Sequence, residues 1–409
     1  MGSTLTEKIF ARTAGLPTVC AGQSVTVRPD HALAYDFPGY SDRLLATLEH
    51  FAGSPGSDPG QRAMFIDHLT TRRSPRIDAI HAQTRDGARR FGYALHEDVG
   101  IGHQATCDLG LARPGALLTH FDPHVAAAGA HGALALGVGN SYATIWATGC
   151  WRTRVPPAVA LTLHGRLPAG VDGRDLLHEL VRRFAGSRLA GVVLEIGGAG
   201  ADGLGREQLQ GLCAMAVFTG ALSAVYLDPD AAVGPDDDAC YAERLQLDLA
   251  QIEPLVALPG SARPDHIRPV AEVAGTPITR AFVGSCASGR LQDMRTVAAV
   301  LRGRRVAPGV RFILTPTSAP IRAQADAEGL TAALQSAGVE VLASSCDACY
   351  GFAHPLAADD RCISSGTLNI AGRMGSADAR IHLASPATVA AAAVAGAIAD
   401  PRPCLQVAA

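Results

Sequence analysis

The chain has 409 residues, 48% hydrophobic and 18% charged, enough to bury cores in two to four domains. Its formal net charge of −3 leaves no electrostatic footprint for nucleic acid or an anionic membrane. Lys8 is the single lysine, which excludes a Walker A loop and leaves Schiff-base chemistry only Lys8 itself.

The opening stretch "MGSTLTEKIFARTAG" lacks the long apolar run of a signal peptide. No segment reaches the ~18 apolar residues that a spanning helix needs, so a soluble, cytoplasmic protein is expected. In the first third, "FIDHLTT" supplies Asp67 and His68, and "VGIGHQ" supplies His103. "THFDPHVAAAGAHG" then supplies His120, Asp122, His124 and His131. Neighbouring carboxylates and imidazoles can orient one another and shift each other's proton affinity, as acid–base catalysis requires. Each could equally be a structural hydrogen-bond partner.

Further along, "GRDLLHELVRRFAG" has apolar residues at helical spacing and a glycine stop. "LAGVVLEI" and "RFILTP" read as buried strands. "TAALQSAGVEVLAS" reads as helix, glycine stop and strand, and "SPATVAAAAVAGAIAD" as a buried, capped helix. Strands alternating with helices indicate α/β layers with largely parallel sheets. Composition changes place domains at 1–158, 159–276 and 277–409. "VVLEIGGAGADG" has the shape of a dinucleotide fingerprint, with Gly198, Gly200 and Gly203 after a strand and Asp228 ending the next. Its helix is not expected to begin at once, because "LGREQ" intervenes.

Ten cysteines are too sparse for a disulfide scaffold, so those with a special role must show it by spacing. Cys346 and Cys349 form a Cys-x-x-Cys pair in "SSCDACYG", and Cys286 follows an apolar strand in "FVGSCASGR". The pair alone could be a thiol-redox site. With Cys362 as a fourth ligand, the set could close a structural zinc. Three thiolates could instead hold an iron–sulfur cluster with one iron left open. Ordinary core thiols are the remaining reading.

"TLTEKIFARTAG", "FIDH", "GIGHQ", "GAHGALALGVG", "ATGCWRTRVP", "FVGSCASGRLQDM", "RCISSGTLNIAGRMG" and "LASPATVAAAAVAG" occur in one order along the chain. In that order they resemble the aconitase family, in particular its 3-isopropylmalate dehydratase large subunits. The resemblance runs end to end and assigns the glycine-rich segment to the family's second domain rather than to a dinucleotide. It implies three aconitase-like α/β domains with small, mostly parallel sheets, lacking the swivel domain, which a small partner subunit would bring. It implies a 4Fe-4S cluster on Cys286, Cys346 and Cys349, whose fourth iron takes the hydroxyl and carboxylate of a hydroxy acid. Asp67, His68, His103, Asp122 and His124 match the proton-transfer network. Arg373 matches a group that seats a substrate carboxylate, with Tyr35 and Ser364 as further substrate-binding positions. The activity implied is that of a hydro-lyase, a dehydratase or isomerase.

The sequence departs from the family at those same places. Tyr35 stands for a glutamine or histidine, and Pro123 interrupts an Asp-Ser-His. Ala214 and Phe218 stand for an asparagine and a network glutamate. Thr367 stands for an asparagine, Leu368 for a carboxylate-binding arginine, and Ala287-Ser288 for Thr-Asn. Loss of a buried charge pair typically costs ~2–5 kcal/mol of binding. These changes imply a less charged or bulkier substrate than 3-isopropylmalate, one suited to specialised metabolism. The alternative is an iron–sulfur scaffold or sensor without hydration chemistry.

Overall fold

The computed structural model describes residues 2–52, 58–71, 74–186, 188–260 and 264–405. They divide into two compact units. One holds the chain up to Asp98, Gly102–His164 and Gly186–Leu247; the other holds Val99–Ile101, Gly165–Ala185 and the chain from Asp248.

The strands of the first unit are β1 (Ser24–Val27), β2 (His31–Tyr35), β3 (Arg62–Ile66), β4 (Ala94–Glu97), β5 (Leu117–His120), β6 (Leu134–Gly137), β7 (Trp151–Arg154), β8 (Ala158–His164), β9 (Val193–Gly197), β10 (Ser223–Tyr226) and β11 (Glu243–Asp248). β1 and β7 form an antiparallel ribbon. A five-stranded sheet has the order β4-β3-β2-β5-β6, with every pairing parallel. A four-stranded sheet has the order β10-β9-β8-β11, with β10-β9 and β9-β8 parallel. β3 and β5 are buried along their whole length, as strands of a covered parallel sheet must be.

The second unit contains β12 (Leu255–Ala257), β13 (Ile267–Pro269), β14 (Arg280–Val283), β15 (Arg311–Leu314), β16 (Val339–Val341), β17 (Arg361–Ser364) and β18 (Arg380–Ala384). They form one sheet in the order β13-β12-β18-β17-β14-β15-β16. The β18–β16 portion is parallel, and β12 and β13 add an antiparallel edge. β12 and β13 precede residue 277 yet hydrogen-bond in the same sheet as the strands that follow it.

The helices follow their local signals. Helix Gly173–Phe184 has an Asp172 cap with Asp175 closing a capping box, and it ends at Ala185, one residue before the expected glycine. Helix Pro386–Ala395 is capped by Ser385, starts with proline and stops at Gly396, which has φ 72°. It is buried along most of its length, as its alanine-rich sequence suggests. After β9, a four-residue helix begins at once at Ala199, earlier than the sequence indicates, and the longer helix Arg206–Met215 follows.

One buried carboxylate ties distant segments of the first unit. Glu195 of β9 accepts bonds from the Thr6 amide (2.8 Å), the Thr6 hydroxyl (2.7 Å), the Leu5 amide (3.2 Å) and the Tyr241 hydroxyl (2.7 Å). It sits at the N-terminus of helix Leu5–Ala14, where exposed amides and the helix dipole favour an anion. Glu195→Ala would leave those donors buried without an acceptor. We expect it to lower the unfolding free energy by about 2–4 kcal/mol, read from urea denaturation.

Candidate functional site

In the first unit, strand order reverses between β2 and β5, because the chain adds β3 and β4 on one side of β2 and β5 and β6 on the other. Carboxyl-end loops at such a reversal form the usual ligand crevice of parallel sheets. Tyr35 ends β2, Asp67 and His68 follow β3, and Asp122 follows β5. Parallel pairing therefore brings these residues to one edge, where His103 joins them from the start of helix Gly102–Asp108.

The Asp67 carboxylate is held on both oxygens. Oδ1 lies 2.5 Å from His68 Nδ1, and Oδ2 accepts the Gly102 amide at 2.7 Å. Asp36 lies beneath this pair. Its Oδ1 accepts the Asp67 amide at 2.9 Å, and its Oδ2 is 2.9 Å from His81 Nε2. Burial pushes the Asp36 carboxyl up, and the bond to Asp36 raises the His81 imidazole. Sequence reasoning missed this supporting pair, since His81 lies mid-helix with no motif around it.

Asp122 caps the 3₁₀ segment Pro123–His131. Its Oδ1 accepts the His124 amide at 2.8 Å and lies 2.7 Å from His124 Nδ1 and 3.6 Å from His103 Nε2. Its Oδ2 accepts the Tyr35 hydroxyl at 2.6 Å. Burial alone would raise this carboxyl, but the charges and bonds of His124 and His103 outweigh it and hold Asp122 well below the usual carboxylate range. His124 Nε2 is buried with no hydrogen-bond partner among the described residues. Burial, reinforced by the charge of His103, holds the His120 imidazole well below its ordinary range, and its Nδ1 accepts the Asp122 amide at 2.8 Å. The Phe218 ring lies 6.1 Å from that of His124, tilted by 49°, and brings an apolar neighbour to the imidazole. The segment can seat so closely because Gly129 has no side chain: a Cβ there would stand 1.8 Å from the Ala224 carbonyl of β10. His131 pairs with Gln210 at 3.0 Å and belongs to this packing.

In the second unit, strand order reverses between β14 and β17. Cys286 follows β14, residues 364–367 close β17, and Cys346 and Cys349 follow β16. The three cysteines are 5%, 6% and 3% exposed. The Cys286 loop is tightly bent. Ser285 has φ 71°, unusual for a residue with a side chain, and a Cβ on Gly289 would lie 2.3 Å from the Thr315 carbonyl. Two buried arginines that the sequence did not single out grip these loops. Arg290 Nη2 donates to the Cys286 carbonyl at 2.8 Å. Arg174 Nη2 donates to the carbonyls of Ser365 (2.5 Å) and Gly366 (2.6 Å). The Ser288 and Ser365 hydroxyls are hydrogen-bonded across the reversal.

Arg373 Nη2 donates to Cys349 Sγ at 3.4 Å and to Thr367 Oγ1 at 3.1 Å, with the guanidinium 3.6 Å from the Tyr350 ring centroid. Burial pushes the Cys349 thiol up, but the Arg373 charge and the Thr367 bond overcome it and bring the group down to about 7. Cys362 lies within β17, fully buried, and burial pushes it up to about 12. Its Sγ lies 3.6 Å from the Ile363 carbonyl oxygen, a contact within its own strand. Ser364 is buried, and its hydroxyl accepts the Gly366 amide at 2.9 Å, holding the turn beside Cys349. No helix among the described residues is long and apolar enough to cross a membrane.

The family described as Aconitase family (aconitate hydratase) matches residues 64–274 and 263–396. The homoaconitase large subunit of Thermus thermophilus is 34% identical over 416 residues, covering 98% of each chain. The 3-isopropylmalate dehydratase large subunit of Mycolicibacterium smegmatis is 34% identical over 421 residues, covering 98% of this chain and 97% of its own. The 3-isopropylmalate dehydratase large subunit 1 of Methanopyrus kandleri is 32% identical over 424 residues, covering 99% and 100%. Among solved structures, holo aconitase X of Thermococcus kodakaraensis aligns with a TM-score of 0.50 at 12% identity, over 85% of this chain and 84% of its own, a likeness of fold. The chain therefore belongs to the aconitase family of hydro-lyases.

Proposed function

We propose that this chain is the cluster-bearing large subunit of an iron–sulfur hydro-lyase acting on a hydroxy acid less charged than 3-isopropylmalate. The observation that carries the reading is the set of three buried thiols at the carboxyl edge of a parallel sheet, one of them drawn towards thiolate by Arg373. Their chemistry fits a 4Fe-4S group, which thiolates hold. Among the described residues, no set of ligand atoms within 4.8 Å of one another includes all three, so their spacing is too wide for a single tetrahedral ion such as zinc. Gly366 lets the turn beside Cys349 close on Ser364, since a Cβ there would stand 2.9 Å from the Ser364 hydroxyl.

Cys286, Cys346 and Cys349 would hold the cluster, which when bound supplies a Lewis acid for a substrate hydroxyl. The rest of the chemistry falls to side chains. Asp122 keeps the His124 proton on Nδ1, so Nε2 is the nitrogen able to take and return a proton. Asp67 orients His68 in the same way. His103 stands against the Asp122 carboxylate as a third imidazole. Arg373 serves the Cys349 thiolate and, through its fork, a substrate carboxylate. The relatives are named as large subunits, which supports a small partner subunit carrying the swivel domain. The division into three family domains at 1–158, 159–276 and 277–409 is part of the same proposal.

After anaerobic purification, the chain is expected to carry about four irons and matching acid-labile sulfide, with a three-iron EPR signal on mild oxidation. Serine at Cys286, Cys346 or Cys349 should abolish that content, while Cys362→Ser should retain it. Zinc in place of iron, or no metal after reconstitution, would overturn the cluster assignment. The substrate reading has its own check. With the small subunit present, Leu368→Arg should improve kcat/KM for 3-isopropylmalate by at least about tenfold, the order expected for a restored carboxylate pair. An unchanged value would remove Leu368 from the specificity argument.

A further inference from the structure

We propose that Tyr35 is a positioning residue. Its hydroxyl fixes the Asp122 carboxylate so that one oxygen is reserved for the histidines and His124 Nε2 is kept as the proton-carrying nitrogen. This rests on the role given above to the Asp122–His124 pair, and it departs from the expectation that Tyr35 binds substrate.

The geometry divides the carboxylate cleanly. Oδ1 takes the His124 amide and imidazole, and Oδ2 takes the Tyr35 hydroxyl at 2.6 Å. Tyr35 and Asp122 come from the two strands that flank the reversal of the five-stranded sheet, so the bond spans the crevice floor. The tyrosine ring cannot swing away easily. It is 4% exposed and packed between His68, His120 and Phe121, with ring centroids at 4.4, 4.9 and 4.6 Å. A phenol has one proton to donate, and here it goes to the carboxylate. A free carboxylate capping a helical turn could rotate and offer either oxygen to His124. With Oδ2 held, rotation would break a short hydrogen bond to a charged group. The titratable groups around the pair are Tyr35 from β2, His68 after β3, His103 from helix Gly102–Asp108 and His120 of β5, while Phe218 contributes a neutral face.

The test is an NMR titration of the histidine rings in the full chain, comparing wild type with Tyr35→Phe, each with and without Asp122→Asn. Phenylalanine keeps the packed ring and removes only the donor. Losing that donor concentrates the Asp122 charge on its histidine partners, so the His124 midpoint should rise by about one pH unit. In the Asp122→Asn background the same change should move it no further. Should Tyr35→Phe fold poorly, 3-fluorotyrosine at position 35 keeps the shape and strengthens the donor, and it should shift the midpoint the opposite way. An unmoved His124 midpoint, or an equal shift in both backgrounds, would overturn the proposal. The titration needs neither substrate nor cluster, so it stands or falls separately from the iron and turnover assays.

Discussion

Where strand order reverses in a parallel sheet, two neighbouring strands send their chains away in opposite directions, and the backbone beyond their ends has no ladder partner. Each unit has one such reversal, between β2 and β5 and between β14 and β17, and each fills it with side-chain bonds. In the first, the Asp122 carboxylate accepts the His124 amide and is held in turn by the Tyr35 hydroxyl; in the second, the Ser288 hydroxyl accepts the Gly284 amide and meets the hydroxyl of Ser365. The candidate chemistry is built on groups recruited to answer this shortage of partners.

The same shortage explains the buried charges. Arg174 and Arg290 give their guanidinium donors to loop carbonyls that no strand satisfies. Asp36 and Asp67 accept loop amides in the same way. A buried charge is tolerated when its hydrogen bonds are made. These residues therefore fix loop shape by the requirement that keeps them solvable in the interior, and a loop so fixed can hold a thiol or imidazole steady without a strand beneath it.

Much of this was legible in the sequence, for physical reasons. Parallel strands buried on both faces leave continuous apolar runs, and β9 and β15 fall within "LAGVVLEI" and "RFILTP". Strand ends carrying Cys, Asp and His are likewise visible, and Cys286, Asp67 and Asp122 all lie just after strands. Residues that act through backbone carbonyls leave no such trace. Arg174 sits at the start of a helix whose later, more exposed arginines, Arg182 and Arg183, reach the buried Glu179, and spacing does not separate the two kinds. Ser364 and Tyr35 are expected as substrate-binding positions only through the resemblance. The partners of their hydroxyls, Gly366 and Asp122, follow from loop geometry that pattern does not encode.

The Glu195 anchor reaches back across the chain to a helix that begins at Leu5. A ribosome would release that helix, with its own capping box of Thr4 and Glu7, long before its acceptor on β9 exists. Helices this short are marginal alone in water. The helix is thus completed only after β1–β8 have emerged, and its order reports closure of the unit rather than local folding. An amide-exchange probe at Leu5 and Thr6 would read the docking of β9 from residues that lie some 190 positions before it.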